Sequence, residues 1–118
     1  MANPIDSFTS AAAFALTLPG TELGTYYGSP AVKIKENGRS FLVTGHEPGS
    51  SFCLILAPDL AQILLETGPD TFWQSPHYRG TNAVLVRYFS NDPQRVCATI
   101  EAARAAAAAL KPARPRKA

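Results

Sequence analysis

The spacing of hydrophobic and polar positions changes several times along the chain, and each change marks an element. Ile5, Phe8, Ala12, Ala15 and Leu16 recur at helical spacing. Asn3 followed by Pro4 predicts the start of that helix, because an Asn side chain caps and proline suits the first helical position; Leu18-Pro19-Gly20 ends it. The period then falls to two. Thr21 to Tyr27 predicts a strand broken by Gly24 and punctuated by Gly28-Ser29-Pro30. Ala31 to Glu36 predicts a second, with Val32 and Ile34 on one face and Lys33 and Lys35 on the other. Asn37-Gly38 predicts a tight type I′ turn, in which both residues take positive φ, and Arg39 to Thr44 the return strand, with Phe41 and Val43 sharing a face. In Ser51 to Leu56, Phe52, Leu54 and Leu56 alternate with Cys53 and Ile55, so both faces are apolar and the strand should be central.

Pro58 opens a second helix, with Leu60, Ile63, Leu64 and Leu65 turned inward and Gly68-Pro69 closing it. Thr71 to Gln74 predicts a short extended piece leading into Ser75-Pro76-His77-Tyr78-Arg79-Gly80, and Ala83 to Phe89 the last strand. Asp92-Pro93 starts a long helix reaching about Leu110, with the stripe Val96, Ile100, Ala103, Ala107 and Leu110. One helix, three or four strands, a helix, two strands and a helix predict an α+β fold: two layers, an antiparallel β-sheet with helices packed on one face. Residues 1–110 read as a single domain. Residues 111–118, with two prolines and no apolar period, read as a disordered basic tail.

A chain of 118 residues, 46% apolar and 17% charged, suits one soluble domain with one core. No apolar run is long enough to span a bilayer. The apolar stretch Ala11–Leu18 has no Lys or Arg before it, the first being Lys33, so it lacks the positive region of a secretory leader; a cytoplasmic protein is expected. The net charge of +2 divides unevenly. Lys111, Arg114, Arg116 and Lys117 supply four cations, and without them seven cations face nine acids. The body is thus slightly acidic and the basic character sits in the tail.

Cys53 and Cys97 lie in separate apolar elements, with no Cys-x-x-Cys or Cys/His spacing, so free thiols and no metal are expected. No glycine-rich segment stands between a strand and a helix as a phosphate cradle, so no cofactor is expected. His46 and His77 are far apart in sequence with nothing local to orient either as a base; an enzyme is not expected. Two surfaces carry candidate chemistry. Lys33, Lys35 and Arg39 flank the Asn37-Gly38 ribbon, where they would meet phosphates or simply discourage edge pairing. Trp73, His77, Tyr78 and Arg79 crowd one turn, where they would stack a ring and clamp an anion or seal the sheet.

Several of these segments together resemble the MmcQ/YjbR family of small bacterial proteins: Leu18-Pro19-Gly20-Thr21-Glu22, Tyr27-Gly28-Ser29-Pro30-Ala31-Val32-Lys33-Ile34, Ser75-Pro76-His77-Tyr78-Arg79-Gly80 and Val84-Leu85-Val86-Arg87. The resemblance covers nearly the whole chain to the end of the third helix. It implies a secretion-chaperone-like α+β fold and the DNA-binding label given to members whose hairpins form a double-wing motif. On that basis the Asn37-Gly38 hairpin is one wing and the loop from His77 to Asn82 a second contact. The leading expectation is a non-enzymatic DNA-binding protein using Lys33, Lys35, Arg39 and Arg79, weakly and with strong salt sensitivity. The alternative is an adaptor for a protein or small ligand, working through Tyr27, Trp73, His77 and Tyr78. No membrane partner is expected.

Overall fold

In the computed structural model, which describes residues 5–112, the chain folds into three helices and a six-stranded antiparallel sheet. Helix α1 spans Phe8–Ala15, α2 Pro58–Thr67 and α3 Pro93–Ala108. The strands are β1 (Thr21–Tyr26), β2 (Ser29–Ile34), β3 (Ser40–Val43), β4 (Ser51–Ile55), β5 (Phe72–Trp73) and β6 (Ala83–Arg87). Their order across the sheet is β1-β2-β3-β4-β6-β5, which makes β4 central as its two apolar faces require. A 3-10 turn, Pro76–Tyr78, lies between β5 and β6. No helix among the described residues is long and apolar enough to cross a membrane.

Local chemistry sets most boundaries. α2 starts at Pro58 and closes at Gly68; α3 starts at Pro93 with the Asp92 side chain accepting from the Arg95 amide. The first helix departs from expectation. Asn3 and Pro4 lie outside the described residues, and α1 begins at Phe8 under a reciprocal Ser7/Ser10 capping box. Ile5 stands before the helix, buried, with its carbonyl accepting from the Phe89 amide at 2.9 Å.

The β2–β3 connection also differs. Only Gly38 has positive φ there, and residues 35–39 join the strands, with Gly38 N–H donating to the Ile34 carbonyl at 2.8 Å and Ile34 N–H to the Arg39 carbonyl at 2.9 Å. The two-residue turn with positive φ at both centres is Tyr27-Gly28, between β1 and β2 (φ 51° and 83°). The β2–β3 register shifts at Val32/Lys33, so Lys33 faces Ser40 and Val32 faces Leu42. Phe41 is the extra residue of this bulge, so Phe41 and Leu42 both enter the helix-side core while Val43 turns to the opposite face.

The main core lies between the sheet and the helices. Val32, Phe41, Leu42, Phe52, Leu54, Phe72, Val84 and Val86 meet Ala11, Ala15, Leu64, Val96, Ile100, Ala103 and Ala107 there. In α2, Ala61 and Leu64 are buried, whereas Leu60 and Leu65 are half-buried and Ile63 is 51% exposed. Leu110 lies beyond the end of α3 and is exposed. The opposite face has a smaller core: Ala31, Val43, Cys53 and Leu85, covered by Trp73, Tyr78 and Ala83. The loop from β5 to β6 therefore acts as a partial third layer, and it builds the surface described next.

Candidate binding surfaces

Strand direction places the candidate residues at two ends of the sheet. β1 and β2 meet at Tyr27-Gly28, so the loop joining β2 to β3 emerges at the other end, about 17–20 Å away for strands of this length. The exit of β3 into Thr44–His46 lies at the Tyr27 end.

The β2–β3 end is basic, and its assembly depends on Asn37. This side chain is buried: its Nδ2 donates to the carbonyls of Ala107 (2.8 Å) and Leu110 (3.2 Å), and its Oδ1 accepts from the Arg39 amide (3.0 Å). The last carbonyls of a helix lack intrahelical donors, so a buried carboxamide here supplies a C-terminal cap and clasps the loop to α3. Half-buried Arg39 extends the clasp, its Nε donating to the Lys111 carbonyl at 2.7 Å. The Lys35 amide donates to the Gly20 carbonyl at 2.9 Å, and Arg104 Nε to the Pro19 carbonyl at 3.1 Å. Lys35 and Arg39 from the hairpin connection thus gather at one end with Arg104 and Lys111 from α3 and the residues that follow it. Glu36 is the acid in their loop.

Lys33 belongs to a different surface. It lies on the helix-free face, directly opposite Glu22 of β1, with its stem across Gly24, where an added Cβ would meet Lys33 Cε at 2.8 Å. Arg79 is elsewhere again, exposed just after the 3-10 turn. The four cations named from the sequence therefore do not form one row: Lys35 and Arg39 come together, Lys33 and Arg79 stand apart from them.

The other end is lined with rings. Gly45, at φ 78°, brings the chain over Cys53 so closely that a Cβ would meet Cys53 Cβ at 3.0 Å and Leu85 Cδ2 at 3.2 Å. That approach sets His46 beside the 3-10 turn, where it stacks on His77 with ring centroids 3.8 Å apart and planes inclined by 33°. Tyr78 meets both imidazoles edge-on, at 5.5 Å from His46 and 4.9 Å from His77. Tyr26 and Tyr27 meet edge to face at 4.6 Å across a recess of about 310 Å³ from His46 and Tyr78. His77 is exposed and stacked rather than buried beside a carboxylate.

Beneath this cluster, burial pushes the Cys53 thiol up to about 12, against the lowering effect of its hydrogen bond with Tyr78. Burial likewise pushes the Tyr78 phenol up to about 12, with Cys53 adding to the effect and a backbone hydrogen bond at His46 opposing it. At neutral pH the thiol is therefore protonated and a poor nucleophile. Cys97 is free and half-buried on α3, its thiol raised by burial and then by Glu101. Trp73 closes the far side of the small core: its indole N–H donates to Ser51 Oγ at 3.0 Å and the Arg87 guanidinium lies 4.6 Å above its ring.

Sequence spacing had no means of finding the His46–His77 stack, the Asn37 clasp, or Arg104 and Lys111 as neighbours of the hairpin, because each joins residues distant along the chain. A hint existed at Gly45, a glycine just past an apolar strand and next to a histidine. No family model, curated protein or solved structure matches the chain.

Proposed function

We propose that the protein binds DNA without catalysis, as a member of the MmcQ/YjbR type with a secretion-chaperone-like fold, and that the basic end of its sheet meets the phosphates. The observation that carries this reading is the clasp of Asn37 and Arg39 onto Ala107, Leu110 and Lys111. It ties the hairpin loop to the segment from which Arg114, Arg116 and Lys117 follow within six residues of Lys111 in sequence. Among the described residues, Lys35, Arg39 and Lys111 are thereby brought together on a slightly acidic body, which favours attraction to a polyanion. Lys35 and Lys111 are the exposed members of the set and make the phosphate contacts. Arg39 makes its contribution partly by holding Lys111 in place.

Phosphate contacts carry no base information, so binding is non-specific in sequence and falls steeply with salt. The test is a low-salt anisotropy titration of a fluorescent 20-bp duplex against the wild type and the double variant Lys35→Glu, Lys111→Glu. Reversing two exposed charges is expected to weaken binding at least tenfold with the melting temperature unchanged. A loss below twofold contradicts the proposal.

A further inference from the structure

The ring-lined end lies away from the basic end and is not used by the proposed DNA contact. Its recess of about 310 Å³ is bordered by Tyr26, Tyr27, Thr44, Gly45, His46 and Tyr78, none of which carries a formal charge when the imidazole is neutral. Its volume accommodates one flat ring system and is too small for a stacked base pair. The walls offer π-faces and the rim offers hydroxyl and imidazole groups, which match the faces and the hydrogen-bonding edge of a heteroaromatic ring.

Backbone strain marks the same place: Tyr27 is one of two non-glycine residues with positive φ among the described residues, the other being Phe89. Tyr27 sits at φ 51° and 76% exposed in a two-residue turn whose first centre ordinarily takes Asn, Asp or Gly. A bulky side chain in the left-handed region is a conformational outlier, and such outliers cluster at ligand sites. The strained residue is itself one of those bordering the recess. His46 borders the same recess and is backed by His77, on which its ring stacks at 3.8 Å, with Tyr78 edge-on to both.

We infer that this recess binds an unpaired nucleobase-type ring, stacked against Tyr27 and His46. The ring could be that of a free nucleoside or of a base in a single strand; the contacts are the same. The test follows the ring resonances of His46 and His77 by NMR while adenosine, D-ribose or a deoxyadenosine hexamer is added to the full chain. Adenosine is expected to shift both imidazoles saturably and ribose to leave them unmoved. Hexamer binding more than tenfold tighter than adenosine assigns the strand as source, and a smaller ratio assigns the free nucleoside. Tyr27→Asn is the decisive variant: Asn accepts the left-handed backbone, so the chain should remain folded while adenosine binding weakens at least fivefold. His46→Ala, at an exposed position, should also weaken it at least fivefold. Absence of saturable shifts with both adenosine and the hexamer overturns the inference, as do equal shifts with ribose or a loss below fivefold in either variant.

Discussion

The two ends of this sheet are built by opposite means. The basic end draws Lys35, Arg39, Arg104 and Lys111 from two segments distant in sequence, and side-chain hydrogen bonds to backbone carbonyls hold it together. The ring-lined end is assembled by close packing: Gly45 lies on Cys53, and Tyr78 supports His46 and His77 over a small apolar core. The first arrangement exposes charge on a polar scaffold and suits a ligand that is charged and extended. The second exposes rings on an apolar scaffold and suits one that is flat and compact. The contrast teaches that net charge is a poor guide to a domain of this size, since where the cations are fastened decides what they can meet.

Substitutions that damage one end should leave the other intact. Asn37→Leu is expected to have the largest effect, a loss of about 1–3 kcal/mol in chemical denaturation, because the α3 carbonyls and the Arg39 amide lose a buried partner. DNA affinity should fall with it while the His46 and His77 resonances stay in place; altered imidazole signals would show that the ends are coupled. Trp73→Phe comes next, at about 1 kcal/mol, since it removes the hydrogen bond to Ser51 and weakens the stack under Arg87. It should disturb the helix-free face and spare DNA binding.

Cys53→Ala separates the ends by pH. The folded-state thiol is raised from 9.0 to about 12, so the folded protein holds a proton there that the unfolded chain releases. The stability linked to that proton is fully present below pH 9.0 and is lost as pH rises through about 12. The variant should therefore lose stability less steeply than the wild type over that interval; parallel curves would remove Cys53 from the account. The smallest effect is expected at Lys33→Ala, with duplex affinity changing less than twofold, because Lys33 faces Glu22 on another surface. A tenfold loss there would move the DNA contact onto the helix-free face.

Much of the fold was legible in the sequence. Pro58, Gly68 and Asp92-Pro93 mark helix ends by backbone constraints that act locally, and the double apolar face of Ser51 to Leu56 marks a central strand. Asn37-Gly38 misled because the turn preference of Asn competed with a better use of its carboxamide, the cap of a helix 70 residues away. Conversely, Tyr27-Gly28 took the primed turn that its own propensity disfavours. The bulge at Val32/Lys33 reversed the expected partnership of Phe41 and Val43, since one extra residue inverts a period-two pattern. Of the ring-lined end, His77 and Tyr78 could be named from one crowded turn, but His46 enters through the approach of Gly45 to Cys53, which only the folded sheet brings about.

Under the proposed DNA contact, the clasped loop and the cations from Lys111 onward act as one phosphate-binding unit. A salt series with a 20-bp duplex, run on the full chain and on a chain ended at Pro112, tests it directly. Seven cations in the full chain, Lys35, Arg39, Arg104, Lys111, Arg114, Arg116 and Lys117, predict a slope of log affinity against log salt of about −6, and the four left after truncation a slope of about −4. A truncated chain with a slope near zero would assign all affinity to the tail and contradict a role for the folded end.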